Sequence, residues 1–322
     1  MMTLLEIKEL KVHYYTLSGI VRAVDGVDFD VGRGEWVSIV GESGCGKSTL
    51  AYAILRLVPP PGRIVSGNIL LDGVDLLKLS GEDIRKLRGS KISMVFQDPM
   101  TSLDPLRRIG DQMVEAITEH EKLGPKAARA KAEKLLASVG LTSDMIDRYP
   151  HQLSGGQRQR VTIAIAMALN PSLLIADEPT TALDGIVQDR IMDLLEGFKE
   201  QGTSIMLVTH DLALAAERSD RIAIMYAGKI VEYGPVDLII DQPMHPYSKA
   251  LLESTPKLRG PKKLTYIPGY PPDLRRPPSG CRFHPRCPRA MKICQLKEPR
   301  AEGVDGRIVA CWLYLEGGDA SE

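Results

Sequence analysis

No apolar run in this sequence is long enough to cross a bilayer; Val161 to Leu169 falls far short of the roughly 18 to 20 residues required. No basic-then-apolar signal segment opens it. These absences lead to the expectation of a cytoplasmic protein, or of one held at a membrane only through partners. Net charge is missing too. Lys plus Arg and Asp plus Glu both count 41, so no overall field draws the molecule onto a polyanion, which disfavours nucleic acid as a partner. No internal repeat is evident, and 43% hydrophobic with 25% charged residues excludes a disordered or fibrous chain. Cysteine is scarce and unevenly placed: Cys45 stands alone, whereas Cys281, Cys287, Cys294 and Cys311 crowd the tail.

With 322 residues the chain exceeds the roughly 250 to 300 at which single cores stop growing, so two unequal domains are expected. Apolar alternation in Leu4 to Val12 and Gly26 to Val31, then the run Trp36 to Val40, predicts strands that begin a sheet. A helical pattern follows from Lys47 to Leu57 and is stopped by Pro59, Pro60 and Pro61. After a strand at Lys91 to Phe96, the stretch Leu106 to Asp147 has helical spacing and predicts an inserted helical subdomain. Buried strands at Ser172 to Ala176 and Ser204 to Thr209 alternate with helices at Gln188 to Glu200 and Leu212 to Arg218, the pattern of a parallel sheet with crossover helices. The core is therefore α/β. Ten of the 22 prolines lie between Thr255 and Arg300, which predicts a boundary near residues 235 to 255 and an extended, irregular appendage beyond it.

Gly41-Glu42-Ser43-Gly44-Cys45-Gly46-Lys47-Ser48-Thr49 matches the phosphate-loop pattern G-x-x-x-x-G-K-[ST], between a predicted strand and a predicted helix. Its glycines let backbone N–H groups converge on phosphate oxygens, and the helix offers its positive end. Lys47 reaches the β- and γ-phosphates, and the Ser48 hydroxyl suits Mg²⁺. Cys45 reads as a small loop filler or as a redox-sensitive thiol beside the nucleotide. Leu173 to Glu178 is a buried strand ending in two acids, and adjacent strand residues point to opposite faces. Asp177 then suits the Mg²⁺ shell, and Glu178 the general base that polarises water.

Between these motifs lies Leu153-Ser154-Gly155-Gly156-Gln157 followed by Arg158-Gln159-Arg160, which resembles the signature of ABC transporter ATPases. Physically, Ser154 and two glycines ahead of a helix opening at Gln157 make a second anion-binding helix start. The resemblance covers roughly residues 3 to 240 and implies a phosphate-loop NTPase core with an N-terminal antiparallel β subdomain and a helical subdomain at about 98–155. It also implies a head-to-tail dimer in which each ATP lies between one subunit's phosphate loop and the other's signature, Ser154 to Gln157. By the same resemblance Gln97 senses Mg²⁺ and contacts the transporter. Tyr14 stacks on adenine, with Tyr15 as the competing choice. Asp184 spans the dimer, and His210 contacts the γ-phosphate.

The tail cysteines have gaps of five, six and sixteen residues. Scattered packing residues and disulfides are open readings, the latter requiring an oxidising compartment. Metal binding is favoured. No tight C-x₂₋₄-C pair of the zinc type occurs, so a 4Fe-4S cluster is preferred over Zn²⁺, serving to staple an irregular segment. His245-Pro246-Tyr247-Ser248-Lys249-Ala250-Leu251-Leu252 and Gly280-Cys281-Arg282-Phe283-His284-Pro285-Arg286-Cys287 resemble the C-terminal extension of ATPases from oligopeptide and dipeptide importers, part of which binds such a cluster. The resemblance implies domains at 1–240 and 241–322, and ATP hydrolysis driving peptide import at the cytoplasmic face of the membrane. The implied partners are a second ABC ATPase subunit, identical or related, two transmembrane permease subunits and, indirectly, an extracytoplasmic substrate-binding protein. Oligosaccharide or nickel cargo, and a soluble ABC ATPase of iron-sulfur assembly, are the alternatives.

Overall fold

The chain begins with two long strands, β1 (Thr3–Thr16) and β2 (Gly19–Gly32), in the computed structural model, which describes residues 2–255 and 266–315. Along β1 Leu4 is buried, and after it the alternation buries Leu5 and Ile7, then Leu10 and Val12. The change of parity is taken up by a bulge between Lys8 and Lys11, where Glu9 has φ 48°. The fully buried β3 (Trp36–Val40) feeds α1 (Lys47–Ile54), and β4 (Gly62–Leu71) with β5 (Val74–Asp75) completes a four-stranded antiparallel sheet of order β2-β1-β4-β5. Gly67 of β4 faces the bulge: a Cβ there would meet the Leu10 Cα at 2.5 Å.

Next come α2 (Gly81–Leu87), β6 (Ile92–Val95), α3 (Pro99–Ser102), α4 (Ile109–Thr118) and α5 (Pro125–Ser138). They are followed by α6 (Gly155–Ala166), β7 (Leu173–Asp177), α7 (Gly185–Glu200), β8 (Ser204–Thr209) and α8 (Leu212–Arg218). The final stretch holds β9 (Arg221–Tyr226), β10 (Lys229–Pro235), α9 (Val236–Asp241), α10 (Pro246–Ser254), α11 (Lys292–Leu296), β11 (Glu302–Val304) and β12 (Arg307–Val309). Among the described residues no helix is long and apolar enough to cross a membrane.

Two compact units emerge, and they do not follow chain order. The first gathers residues 3–31, 36–77 and those described from 208 on. It contains the antiparallel sheet, β3 parallel to β9, and β9, β10, β12 and β11 in antiparallel succession. The tail thus contributes a hairpin that pairs with β10 through Glu232 and Tyr233. The second unit holds residues 32–35 and 78–207. There β6 and β7 run parallel, Val95 beside Ala176, and Ile109, Met113, Ile117, Ala128, Ala132 and Leu136 form the buried faces of α4 and α5.

The α/β class and the N-terminal antiparallel sheet are as the sequence leads one to expect. Several boundaries differ. The first helix ends at Ile54 rather than Leu57, because Arg56 turns left-handed (φ 52°) and the Leu57 N–H donates back to the Tyr52 carbonyl. The helical stretch after Leu106 breaks into α4, α5 and a 3₁₀ turn at Ser143–Asp147. The tail is not wholly irregular: its twelfth strand borrows its hydrogen bonds from β10, a partner that local composition does not reveal.

His245 caps α10, its Nδ1 accepting from the Tyr247 N–H at 3.0 Å while its own N–H donates to Glu232 Oε2. Burial lowers its pKa to about 3. An unfolded histidine titrates near 6.5, so below that pH the unfolded chain takes up a proton the folded one refuses. Stability should fall as pH drops from 6.5 towards 3, by at most about 1.4 kcal/mol per pH unit from this group. His245→Asn keeps a capping acceptor and loses the titration. Its unfolding midpoint should therefore decline less between pH 7 and pH 5.5 than that of the unaltered chain, whatever its starting value.

Candidate functional site

The phosphate loop lies in the first unit, between β3 and α1. Two of its glycines are fixed by backbone contact before any ligand is considered. A Cβ on Gly41 would meet the Met225 carbonyl oxygen at 2.1 Å, and one on Gly46, with φ 110°, would meet the Ala23 carbonyl oxygen at 2.0 Å. The loop is thus clamped between β2 and the end of β9, and its cross-brace is the Cys45 carbonyl, which accepts from the Gly228 N–H at 2.8 Å. Lys47 is buried, its Nζ donating to the Gly41 carbonyl at 2.8 Å and the Glu42 carbonyl at 3.1 Å. Burial pushes the Cys45 thiol up, with Lys47 opposing. A buried neutral thiol packed against Gly41 is a loop filler, which leaves the redox reading without support.

Thr49 shares a hydrogen bond of 3.3 Å with the Tyr14 hydroxyl, which places that ring beside α1. Tyr15 is exposed, with the Arg63 guanidinium 5.6 Å from its ring centre. His210 follows β8 and is exposed.

In the second unit the parallel strands β6 and β7 bring Gln97 and the two acids together. Asp177 is wholly buried. Glu178 is half-buried with φ 45°, a conformation costing about 1 to 3 kcal/mol for a non-glycine residue. Its Oε2 accepts from Gln97 Nε2 at 3.0 Å and from Thr181 Oγ1 at 2.9 Å. A strained backbone and two donors therefore aim one carboxylate.

The signature residues form a capping box. Ser154 Oγ accepts from the Gln157 N–H at 3.3 Å, and Gln157 Oε1 accepts from the Ser154 N–H at 2.9 Å. The helix consequently begins at Gly155, not at Gln157, and the two glycines are its first turn. A Cβ on Gly156 would meet Val187 Cγ1 at 2.6 Å. Asp184 is exposed and caps α7, accepting from the Val187 N–H at 3.0 Å.

All five cysteines are free. In the tail the Cys281 N–H donates to the Cys294 carbonyl at 2.8 Å, across Gly280, whose φ of 64° and lack of Cβ permit the approach. Burial above all, and then Cys294, Cys311 and Cys287, hold the Cys281 thiol up at about 12 despite the Phe283 N–H. Cys311 stands at about 11 through burial, with Cys287 and Cys294 adding to it. Four thiols therefore share one neighbourhood. Among the described residues, however, no three His, Cys, Asp or Glu are gathered as a metal ion requires. The donor chemistry suits a thiophilic metal.

Anchors of this tail were not legible in the sequence. Arg282 donates to the Ala227 carbonyl and to Asp25; burial pushes the Asp25 carboxyl up, but Arg282 and Lys229 hold it below its usual value. Arg286 forks onto Glu42 of the phosphate loop, and Tyr247 accepts from the Glu42 N–H at 3.0 Å. Glu42 occupies an open position of its motif, and only the fold pairs it.

A strand, a glycine-clamped loop with a buried lysine and a helix in one unit, and parallel strands ending in acids in the other, define a phosphate-loop nucleoside triphosphatase. Residues 24–181 match the family described as ABC transporter, and residues 231–294 the one described as oligopeptide/dipeptide transporter, C-terminal region. The oligopeptide transport ATP-binding protein OppD of Bacillus subtilis is 48% identical over 317 residues, 96% of this chain and 88% of that one. The dipeptide transport ATP-binding protein DppD of the same organism is 46% identical over 315 residues, 96% and 94% of the two chains. A solved dimeric post-hydrolysis state of an ATP-binding cassette bound to ADP and Pi superimposes with a TM-score of 0.66. It has 31% identity and covers 72% of this chain and 98% of that one. The chain belongs to the ATP-binding subunits of ABC transporters, in the oligopeptide/dipeptide branch, and it binds and hydrolyses ATP.

Gly46→Ala should cost at least about 3 kcal/mol, since neither the positive φ nor the Ala23 carbonyl leaves room for a methyl group. Thermal unfolding and nucleotide binding measured together should both drop. A variant of wild-type stability would contradict the clamp.

Proposed function

We propose that this chain is the ATPase subunit that powers import of di- or oligopeptides from the cytoplasmic face of a cell membrane. The observation that carries the reading is the continuity of the likeness. Relatives named for oligopeptide or dipeptide transport run at 45 to 48% identity through 96 to 99% of this chain. In this reading residues 1–240 form the cassette and 241–322 the extension. Two permease subunits form the path, and an extracytoplasmic binding protein delivers cargo to them.

Each residue then has a physical task. Lys47 and the N–H groups of residues 43–49 grip the phosphates, Tyr14 faces the base, and Ser48, Gln97 and Asp177 are oxygen donors of the kind Mg²⁺ prefers. An acid removed from water, as Asp177 is, suits a cation. Glu178 takes the proton of the attacking water, its orientation fixed by Gln97 and Thr181. His210 and the phosphate-loop donors stabilise charge on the γ-phosphate. The signature, Ser154 to Gln157, caps the nucleotide of a second ATPase subunit with its ordered helix start, and Asp184 lies at that contact. Cleavage then separates two bodies and works the permeases.

The same proposal gives the tail cysteines a 4Fe-4S cluster, with Zn²⁺ as the alternative. Support comes from the four free thiols of the tail, with Cys294, Cys311 and Cys287 near enough to push the Cys281 thiol up. When bound, the cluster would cross-link a segment with little core of its own.

Glu178→Gln should retain ATP binding and lose turnover by at least about 100-fold; full activity would remove Glu178 from its role. In proteoliposomes with the permeases, peptide-loaded binding protein should stimulate ATP hydrolysis, and stimulation by a sugar or nickel protein instead would reassign the cargo. Anaerobically purified protein should carry about four irons with acid-labile sulfide. A colourless sample with one zinc would select the alternative.

A further inference from the structure

The phosphate-loop motif leaves Glu42 unspecified, yet this residue is held at both its carboxylate and its N–H. Its carboxylate accepts two bonds from one guanidinium, Arg286 Nη1 to Oε2 at 2.7 Å and Nη2 to Oε1 at 2.9 Å. Its N–H is turned to the Tyr247 hydroxyl at 3.0 Å. Arg286 cannot easily move, because its side chain is only 5% exposed. It also donates from Nε to the Pro268 carbonyl at 2.8 Å and from Nη1 to the Tyr226 hydroxyl at 3.3 Å. Behind the fork, Tyr226, Tyr247 and Phe283 pack ring against ring with centres 4.5 to 5.4 Å apart. Arg286 directly precedes Cys287, in a 3₁₀ turn closed by the Arg286 N–H on the Phe283 carbonyl at 2.9 Å.

The loop side of this arrangement bears on nucleotide. The Gly41 and Glu42 carbonyls are the two that Lys47 Nζ binds, so the peptide held by Tyr247 and the tail is also the one that positions the phosphate-binding ammonium. We propose that Arg286 is a positioning residue for the ATP site. Through its fork on Glu42 the cysteine-bearing tail sets the first half of the phosphate loop, so that nucleotide affinity and order in the tail are coupled. Coupling of this kind is reciprocal: whatever the tail contributes to ATP affinity, ATP returns to the tail. The inference goes beyond the transport reading and needs neither peptide cargo nor a cluster, because it concerns binding to this chain alone.

The test uses the purified full-length chain. Arg286→Met should weaken ATP binding about 5- to 20-fold, in the lower part of the range of typical couplings between sites, while its kcat at saturating ATP stays within about twofold; Glu42→Gln should weaken ATP binding by a similar factor. The double variant should be no weaker than the worse single one, because both remove the same interaction. Arg286→Lys, which keeps charge but cannot fork, should recover only part of the affinity. In hydrogen exchange, Mg-ATP should protect the amides of Arg286 and Cys287 in the unaltered chain and not in Glu42→Gln. Losses that multiply in the double variant, unchanged ATP affinity in Glu42→Gln, or tail protection that survives it would each overturn the proposal. Should Arg286→Met fail to fold, the Glu42→Gln comparisons carry the decision.

Discussion

The structure turns on a close approach of backbone to backbone. The loop from Gly41 to Thr49 can present its N–H groups to an anion only because Gly41 lies against the Met225 carbonyl and Gly46 against that of Ala23. Neither contact tolerates a side chain, and together they hold the strand-to-helix turn at a fixed height between β2 and β9. Lys47 then folds back onto the Gly41 and Glu42 carbonyls instead of reaching into solvent. A buried ammonium needs such acceptors, and phosphate oxygens offer it the same kind of partner with a full charge.

In the other unit the acids and the second helix start are shaped by local devices. Glu178 is aimed by a left-handed backbone and two donors, Gln97 and Thr181. Ser154 and Gln157 satisfy one another's backbone at the head of α6, which leaves the helix start ordered before any anion arrives. Asp184 does for α7 what Ser154 does for α6. These are short-range solutions to the unsatisfied N–H groups of helix ends, and each also sets a functional side chain.

The tail has a different logic. It contributes a hairpin paired with β10, an arginine on Asp25, another on Glu42, and four free thiols, those of Cys294 and Cys311 buried. Cross-strand bonds and buried guanidinium forks hold it to the cassette core of the same unit. The phosphate loop is therefore bounded on one side by residues more than two hundred positions away in sequence.

Whatever repeats at short range was legible in the sequence. The phosphate loop, the strand ending in Asp177 and Glu178, the signature and the α/β alternation are local patterns, because a turn, a strand end or a helix start is built from neighbours. The helix ends at Ile54 and Gly155 lie two or three residues from where periodicity puts them, since left-handed stops and capping boxes compete with periodicity over that distance. Only the tertiary structure decided the pairing of Glu42 with Arg286 and Tyr247, the union of β12 with β10, and the anchoring of Arg282 on Asp25. Each joins segments whose separation along the chain carries no local signature, and an ion pair or a ladder bond is fixed only when the fold brings its two halves within about 3 Å.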